Sequence, residues 1–500
     1  MPVTLQDLSR EPELMEKILL YCERKNIFKC VSISVKINKP LNDDAVFASL
    51  RALVLKYPLL FSFPVGEEPN VKYEPLDHIL FKDVYVVNET VTQSFKDNDA
   101  NSEMLTSASF HENHINRAVL WKLVYYKKTG WLTFNSAHCF TDGGSVIAYL
   151  KEFVERLNHV GDEKAGDVLF SLENDLPRLT HGISRGLFDR TGYTPDLVTR
   201  FAATTLKHVI SWWPGIVPTV LEKQRHNSFF VDCPPVPFSK ETCFESEFLI
   251  NESSPLNSTV PMFINFTTET LNKILDACRT HKVKLSSYLT VVYTHTILQL
   301  CPGVYDDKFL KVGVAVSFRN LFDTLKSHGS YLSKIEDGDS LNEECFDDGF
   351  YSYGVTYFIN PHTKFSWDSV QKYHRYLHTT VNSEEWKKEY YVGCKTMEAE
   401  NYMGGRFDKI GDCCFITNTN LGHVAVIDHG DVDAFQIEDI LFAPSAGATM
   451  GTHHITVCST TKSGVNIGFY KGDHRVTDWA LFKRTFAKNV LEFSGVSSEV

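Results

Sequence analysis

The sequence predicts an α/β chain folded as two similarly built lobes, and three observations carry that expectation. The chain has 500 residues, too many for one simple core. The strings His138-Cys139-Phe140-Thr141-Asp142 and His474-Arg475-Val476-Thr477-Asp478 each follow a strand-like run and precede a run with apolar residues at helical spacing. Upstream of each, a second apolar run is joined by a short Lys/Gly turn, Lys127-Lys128-Thr129-Gly130 in one and Thr460-Thr461-Lys462-Ser463-Gly464 in the other. A unit of strand, turn, strand, H-x-x-x-D and helix therefore occurs twice, about two-thirds of the chain apart.

The elements can be justified in order. Residues 15–20 have the spacing of a helix, and 31–37 alternate as a strand. Asn42-Asp43-Asp44 reads as a cap for a helix over 45–55. The apolar, β-rich run 131–137 is a buried strand, and 145–157 the helix that follows the first motif. The first lobe then spans 1–165. Over 166–260 the periodicity weakens and Pro214, Pro218, Pro234, Pro235 and Pro237 punctuate the chain, as in an inter-lobe linker. Within it, 205–218 carries Trp212-Trp213 beside Lys207. This segment reads either as an interfacial membrane contact or as aromatics packed on the body.

The second lobe spans 261–500. It holds a strand at 263–267, helices over 271–278 and 286–300, and a buried strand over 311–320 that ends in Arg319. A polar surface loop is expected over 335–348, a strand over 413–422, and the closing repeat unit near 450–493.

Composition excludes some classes of function. A net charge of −12, a pI near 5.9 and no long basic stripe argue against nucleic-acid binding. Twelve cysteines lack regular spacing, and adjacent Cys413-Cys414 suit neither a metal knuckle nor an ordinary disulfide. With no secretory signal at the start, reduced thiols and a cytoplasmic protein are expected. No apolar run is long enough to span a bilayer.

The H-x-x-x-D spacing occurs a third time, at His429/Asp433, inside a polar loop-like stretch that reads as chance. Of the two copies in the repeat, the first has Gly143-Gly144 after its aspartate and the second has Trp479-Ala480. Glycines let the main chain turn sharply and allow close approach. The first copy is accordingly expected to be active, with His138 at a strand end where a channel can reach it, and the second to be its structural echo. The competing structural reading is a core histidine followed by a capping aspartate; the duplicated context favours catalysis.

These residues resemble the acyl-CoA-dependent acyltransferases of the chloramphenicol-acetyltransferase fold, and among them the fungal alcohol acetyltransferases. Trp121-Lys122-Leu123 before the motif strand, His138-Cys139-Phe140-Thr141-Asp142-Gly143, the chain length and the later Thr417-Asn418-Thr419-Asn420-Leu421-Gly422 carry the resemblance. Two departures stand against it. Ala137 precedes His138 where condensation domains have a second histidine, and the D-F-G-W-G string of the plant enzymes has no counterpart. The late Asp473-His474-Arg475-Val476-Thr477-Asp478 resembles instead a dihydrolipoyl acyltransferase motif lacking its final glycine, which keeps His474 as a rival base.

The resemblance implies two lobes of mixed β-sheet with flanking helices and an active-site channel between them. It implies acetyl-CoA as co-substrate, with no permanently bound cofactor or metal, and a hydrophobic alcohol as acceptor. His138 would be the general base and Asp142 a structural carboxylate paired with Arg319. Gly143 and Gly144 would line the channel, and Ser286, Ser287, Thr417 and Asn418 are candidate oxyanion or substrate donors. Lys284 is a weak candidate for a coenzyme A phosphate. A monomer is expected, with peripheral contact to endoplasmic reticulum or lipid droplets. Alternatives are N-acetylation of a long-chain sphingoid-like amine and a non-catalytic lipid-binding scaffold. A metal hydrolase built on His453, His454 and His474 is disfavoured, because adjacent residues of a strand point to opposite faces.

Overall fold

The computed structural model describes residues 2–26, 28–96, 99–159, 164–191, 193–213, 260–303, 310–319, 347–359, 364–383, 385–399, 414–424, 433–445, 453–470, 476 and 478–496. Helix α1 (Leu14–Arg24) opens the chain, followed by β1 (Val31–Ile37) and α2 (Asp43–Lys56), whose N-cap Asn42 accepts a bond from the Ala45 amide as the sequence predicts. Short strands β2 (Ser62–Val65), β3 (Lys72–Pro75), β4 (His78–Leu80) and β5 (Tyr85–Asn88) come next. The first repeat unit is β6 (Trp121–Tyr126), β7 (Trp131–Ser136) and α3 (Gly143–Leu157), and β8 (Val168–Ser171) and α4 (Leu197–Trp212) follow. The second half contains β9 (Pro261–Phe266), α5 (Thr268–Thr280), α6 (Leu285–Leu300), β10 (Leu310–Ser317), β11 (Ser352–Ile359), α7 (Trp367–Asn382) and α8 (Glu385–Thr396). It ends with β12 (Cys414–His423), β13 (Ile437–Phe442), then the second unit, β14 (His453–Thr460), β15 (Gly464–Tyr470) and α9 (Trp479–Phe493).

Two mixed sheets organise the lobes, one in the order β13-β1-β7-β6-β5 and the other in the order β11-β10-β12-β14-β15-β9. Each has its own apolar core, and the motif-bearing strands β7, β14 and β15 are buried along their whole length. The repeat read from the sequence is real in three dimensions. Both units pair antiparallel strands across a turn closed by a glycine at positive φ, Gly130 at +72° and Gly464 at +78°. Both motif aspartates cap the following helix, Asp142 accepting from the Ser145 amide and Asp478 from the Leu481 amide. The units differ in burial, since Asp142 lies inside the protein and Asp478 is exposed.

The chain does not divide at the expected points. β8, inside the expected linker, pairs with β4, and Arg51 of α2 binds Asp175 at 2.8 Å, so residues 168–178 are part of the first lobe. The rest of that linker up to 213 includes the 16-residue α4, while 214–259 lie outside the described residues. β13, expected in the second lobe, instead completes the first sheet beside β1. The reason is that β1 would otherwise leave a row of unpaired main-chain groups on a buried edge. Of the polar loop expected over 335–348, only Asp347 and Asp348 are described. Asp348 is buried, made tolerable by a bond from the Tyr149 hydroxyl.

The two turn glycines make a graded test of the repeat. A Cβ at Gly130 would meet the Ile37 carbonyl oxygen at 3.2 Å, whereas one at Gly464 would lie 2.1 Å from that of Phe266. Gly130→Ala should cost roughly 1–2 kcal/mol, the penalty of a left-handed non-glycine residue. Gly464→Ala should cost more, because main chain must also move. Urea unfolding of both variants checks the order; equal losses would contradict it.

Candidate active site

His138 stands just beyond the end of β7, and its surroundings decide what its ring can do. The Nδ1–H donates to the Thr141 carbonyl oxygen at 2.6 Å. A carbonyl can only accept, so the neutral ring carries its proton on Nδ1 and presents an unprotonated Nε2. Phe28 stacks on the imidazole at 5.7 Å between centroids, and Phe350 lies at 5.3 Å on a tilted plane. Burial in this aromatic setting lowers the pKa below the ordinary 6.5, opposed by the Thr141 carbonyl and by the charges of Glu23 and Asp142. The ring is therefore neutral at neutral pH and poised to take a proton at Nε2.

Asp142 does not serve the histidine. Its Oδ1 takes the Ser145 amide at 3.0 Å, while its Oδ2 takes Arg319 Nη1 at 2.7 Å, the Tyr351 amide at 2.9 Å and the Ser352 hydroxyl at 2.8 Å. Burial opposes its charge, yet the Arg319 guanidinium and these donors together hold its pKa below the ordinary 3.8. Arg319 also bonds the Ser145 hydroxyl at 2.8 Å and the Gly349 carbonyl at 3.0 Å. The Asp142–Arg319 pairing implied by the sequence resemblance is thus present, and it joins the two lobes.

Gly143 and Gly144 serve the same junction. A Cβ on Gly143 would come within 2.6 Å of Leu421 on β12, and one on Gly144 within 2.5 Å of Arg319. Added side chains would displace the end of Leu421 and the guanidinium that binds Asp142, so the two glycines let the second lobe sit close against α3.

The remaining candidates have the following surroundings. Lys284 is exposed at the N-cap of α6. The Ser287 hydroxyl lies 3.2 Å from His374 Nδ1, and the Ser286 carbonyl accepts from the Thr290 hydroxyl. Asn418 donates its amide to the Thr290 hydroxyl and the Ser286 carbonyl, tying β12 to α6, and Thr417 falls on the opposite face of that strand. His453 and His454 also face apart, toward Tyr293 and Tyr470 respectively. His429 and His474 lie outside the described residues.

Sequence reasoning missed several groups that the fold brings to the motif. Phe28, Phe350, Tyr351 and Ser352 are distant in sequence and carry no motif. Tyr73, on β3, donates its hydroxyl to the Cys139 carbonyl at 2.5 Å. Glu23 lies against the motif's main chain. A signal for Glu23 existed: it shares the apolar stripe of α1 with Leu14, Ile18, Leu19 and Cys22, and a carboxylate in such a stripe needs buried partners.

Comparisons with known proteins bear on the family and the fold. The family described as alcohol acetyltransferase matches residues 14–486. Among curated proteins, no match is found. Among solved structures, trichothecene 15-O-acetyltransferase from Fusarium sporotrichioides is similar with a TM-score of 0.60 at 11% identity, over 99% of each chain. The first condensation domain of the calcium-dependent antibiotic synthetase, bound to a substrate analogue, has a TM-score of 0.57 at 10% identity, over 97% of each chain. The starter condensation domain of rhizomide synthetase, solved with C8-CoA, has a TM-score of 0.55 at 10% identity, over 99% of this chain and 96% of that one. At such identities these likenesses concern the fold.

The inter-lobe ion pair makes a definite prediction. Asp142→Ala and Arg319→Ala should each cost about 3–5 kcal/mol, because either leaves a buried charge uncompensated. The double variant should cost less than the sum. Since the folded pKa of Asp142 lies below its unfolded value, the stabilisation is complete above pH 3.8 and lost as pH falls through the folded value. Urea unfolding of the three variants reads this out, and strictly additive losses would refute the pairing.

Proposed function

The chain belongs to the alcohol acetyltransferase family, and we propose that it transfers an acetyl group from acetyl-CoA to a hydrophobic alcohol, with His138 as general base. The observation that carries the reading is the Nδ1–H bond to the Thr141 carbonyl, which leaves Nε2 free for the acceptor. With both substrates bound, Nε2 takes the hydroxyl proton while the alcohol oxygen attacks the thioester carbon. The tetrahedral intermediate then collapses: the carbon–sulfur bond breaks, the imidazolium returns its proton to sulfur, and an acetate ester and coenzyme A leave. No acyl-enzyme is needed, because the base acts on the acceptor directly. Asp142 keeps the lobes in register; its oxygens are occupied by Arg319, Ser145, Tyr351 and Ser352, and the Thr141 carbonyl holds the ring.

An apolar acceptor suits the site, since Phe28 and Phe350 flank the imidazole. A source of such acceptors is suggested by α4. This helix lies against α8 and buries Thr199 and Ala203, while its Leu197, Val198, Phe201 and Trp212, and Trp213 just beyond it, are exposed. Peripheral contact with a lipid surface is part of the proposal. Among the described residues, no helix is long and apolar enough to cross a membrane.

Thiol release from acetyl-CoA, with medium-chain alcohols and sphingoid-like amines as acceptors, tests the assignment. His138→Ala should lose roughly 10²–10⁴-fold in kcat/KM, and His474→Ala should retain activity. Loss confined to His474→Ala would move the site to the second repeat, and amide as the only product would replace the alcohol by an amine. In the wild type, kcat/KM should fall at acid pH with a midpoint below 6.5, the ordinary histidine value, as Nε2 becomes protonated. A midpoint above it would contradict the neutral-base assignment.

A further inference from the structure

We propose that Glu23 is a positioning residue of this site: its buried carboxylate, backed by His114, fixes the main chain of His138 and Cys139 and places a negative charge behind the imidazole. The inference rests on the reading of His138 as the base.

Glu23 lies in the last turn of α1 and is 1% exposed. Its Oε1 accepts the amide of His138 and, at 3.2 Å, that of Cys139. Its Oε2 faces His114 Nε2 at 3.2 Å, and both side chains are buried. Glu16, seven residues earlier on the same stripe, binds Arg10 through two bonds of 2.6 and 2.8 Å. Arg10 lies over the Tyr73 ring, and Tyr73 bonds the Cys139 carbonyl. Both ends of the Cys139 residue are thus gripped from outside the motif, its amide by Glu23 and its carbonyl by Tyr73. Two amides converging on one carboxylate oxygen fix a loop more firmly than neutral acceptors would.

The charge matters as well as the grip. The groups facing His138 are the Phe28 and Phe350 rings, the Thr141 carbonyl, Glu23 and Asp142, with the Cys139 thiol, Tyr73 and His114 behind the loop and Arg319, Asp348 and Tyr351 across the lobe junction. The charge of Asp142 is matched by Arg319 at 2.7 Å. Glu23 is held by two amides and by His114, whose buried Nδ1 has no hydrogen-bond partner for a second N–H, so a neutral His114 leaves more of the carboxylate's field to reach the ring. A fixed anion there favours the imidazolium that forms as the acceptor loses its proton.

The ligand atoms of Glu23, His114 and Cys139 also lie within 4.8 Å of one another, a spacing open to a cation. The donors argue for hydrogen bonds instead: Oε1 already takes two amides, and burial, with Glu23 beside it, keeps the Cys139 thiol protonated well above its ordinary pKa.

Glu23→Gln separates grip from charge, because the amide oxygen can still accept both N–H bonds. Full-length protein with ¹³Cε1-labelled histidine gives the readout, the His138 signal being the one absent from His138→Gln. Removing the negative charge should move the His138 titration midpoint to lower pH and carry the acid limb of kcat/KM with it. Glu23→Asp keeps the charge but withdraws it from the amides. It should leave the midpoint near that of the wild type and lower kcat by roughly 10²-fold with KM little changed. An unmoved midpoint in Glu23→Gln, wild-type kcat in Glu23→Asp, or stoichiometric metal in the purified protein that Glu23→Gln releases would each overturn the proposal. If Glu23→Gln does not fold, Glu23→Asp decides alone. Failure of the base assignment is distinguishable: His138→Ala would then stay active, while the titration of His138 still reports whether Glu23 acts on it.

Discussion

The structure depends on a buried carboxylate that one lobe cannot satisfy. Asp142 begins α3 in the first lobe, and that helix supplies one donor, the Ser145 amide. An ionised carboxylate out of water needs more. The second lobe provides the rest through Arg319, the Tyr351 amide and the Ser352 hydroxyl, while Tyr149 and Ser145 bond Asp348 and Gly349 across the same seam. The lobes cannot shift without stranding a charge. The glycine pair of the motif then has a mechanical explanation, since a side chain there would push on the end of Leu421 and on the Arg319 guanidinium.

This constraint also separates the roles within the motif. A carboxylate occupied in this way has little capacity left to orient the imidazole, and the ring is oriented instead by the carbonyl of Thr141, three residues along the same turn. Thr141 is itself held by Ser136, its hydroxyl 2.8 Å away. The four-residue spacing thus lets one tight turn send the histidine toward the site and the aspartate toward the other lobe.

Local and periodic features were legible in the sequence. The helices and strands of both repeat units, the Asn42 cap, the duplicated motif and the Arg319 pairing followed from spacing, turn chemistry and resemblance. What escaped depends on long-range partners. β13 has nothing in its composition to say that it crosses to the first sheet. Asp348 sits in a polar stretch and is buried because Tyr149 meets it. Asn418, polar and at a suggestive place, is used to tie β12 to α6. Phe28 and Phe350 are two of 35 phenylalanines, and only the fold puts them against His138.

The two buried acids near the motif show why residue type alone underdetermines role. Asp142 faces a guanidinium, so its charge is neutralised where it stands and its work is to join lobes. Glu23 faces two amides and His114, so it is held by hydrogen bonds rather than by a guanidinium. Burial beside aromatic rings favours the neutral form of His138, yet the same burial penalises the cation that the proposed proton transfer would create. An anion behind the ring, as proposed for Glu23, would offset that penalty. On the proposed reading, aromatic surroundings and a charged support behind the histidine are therefore not in conflict: the first would set the resting protonation state, and the second would ease the departure from it.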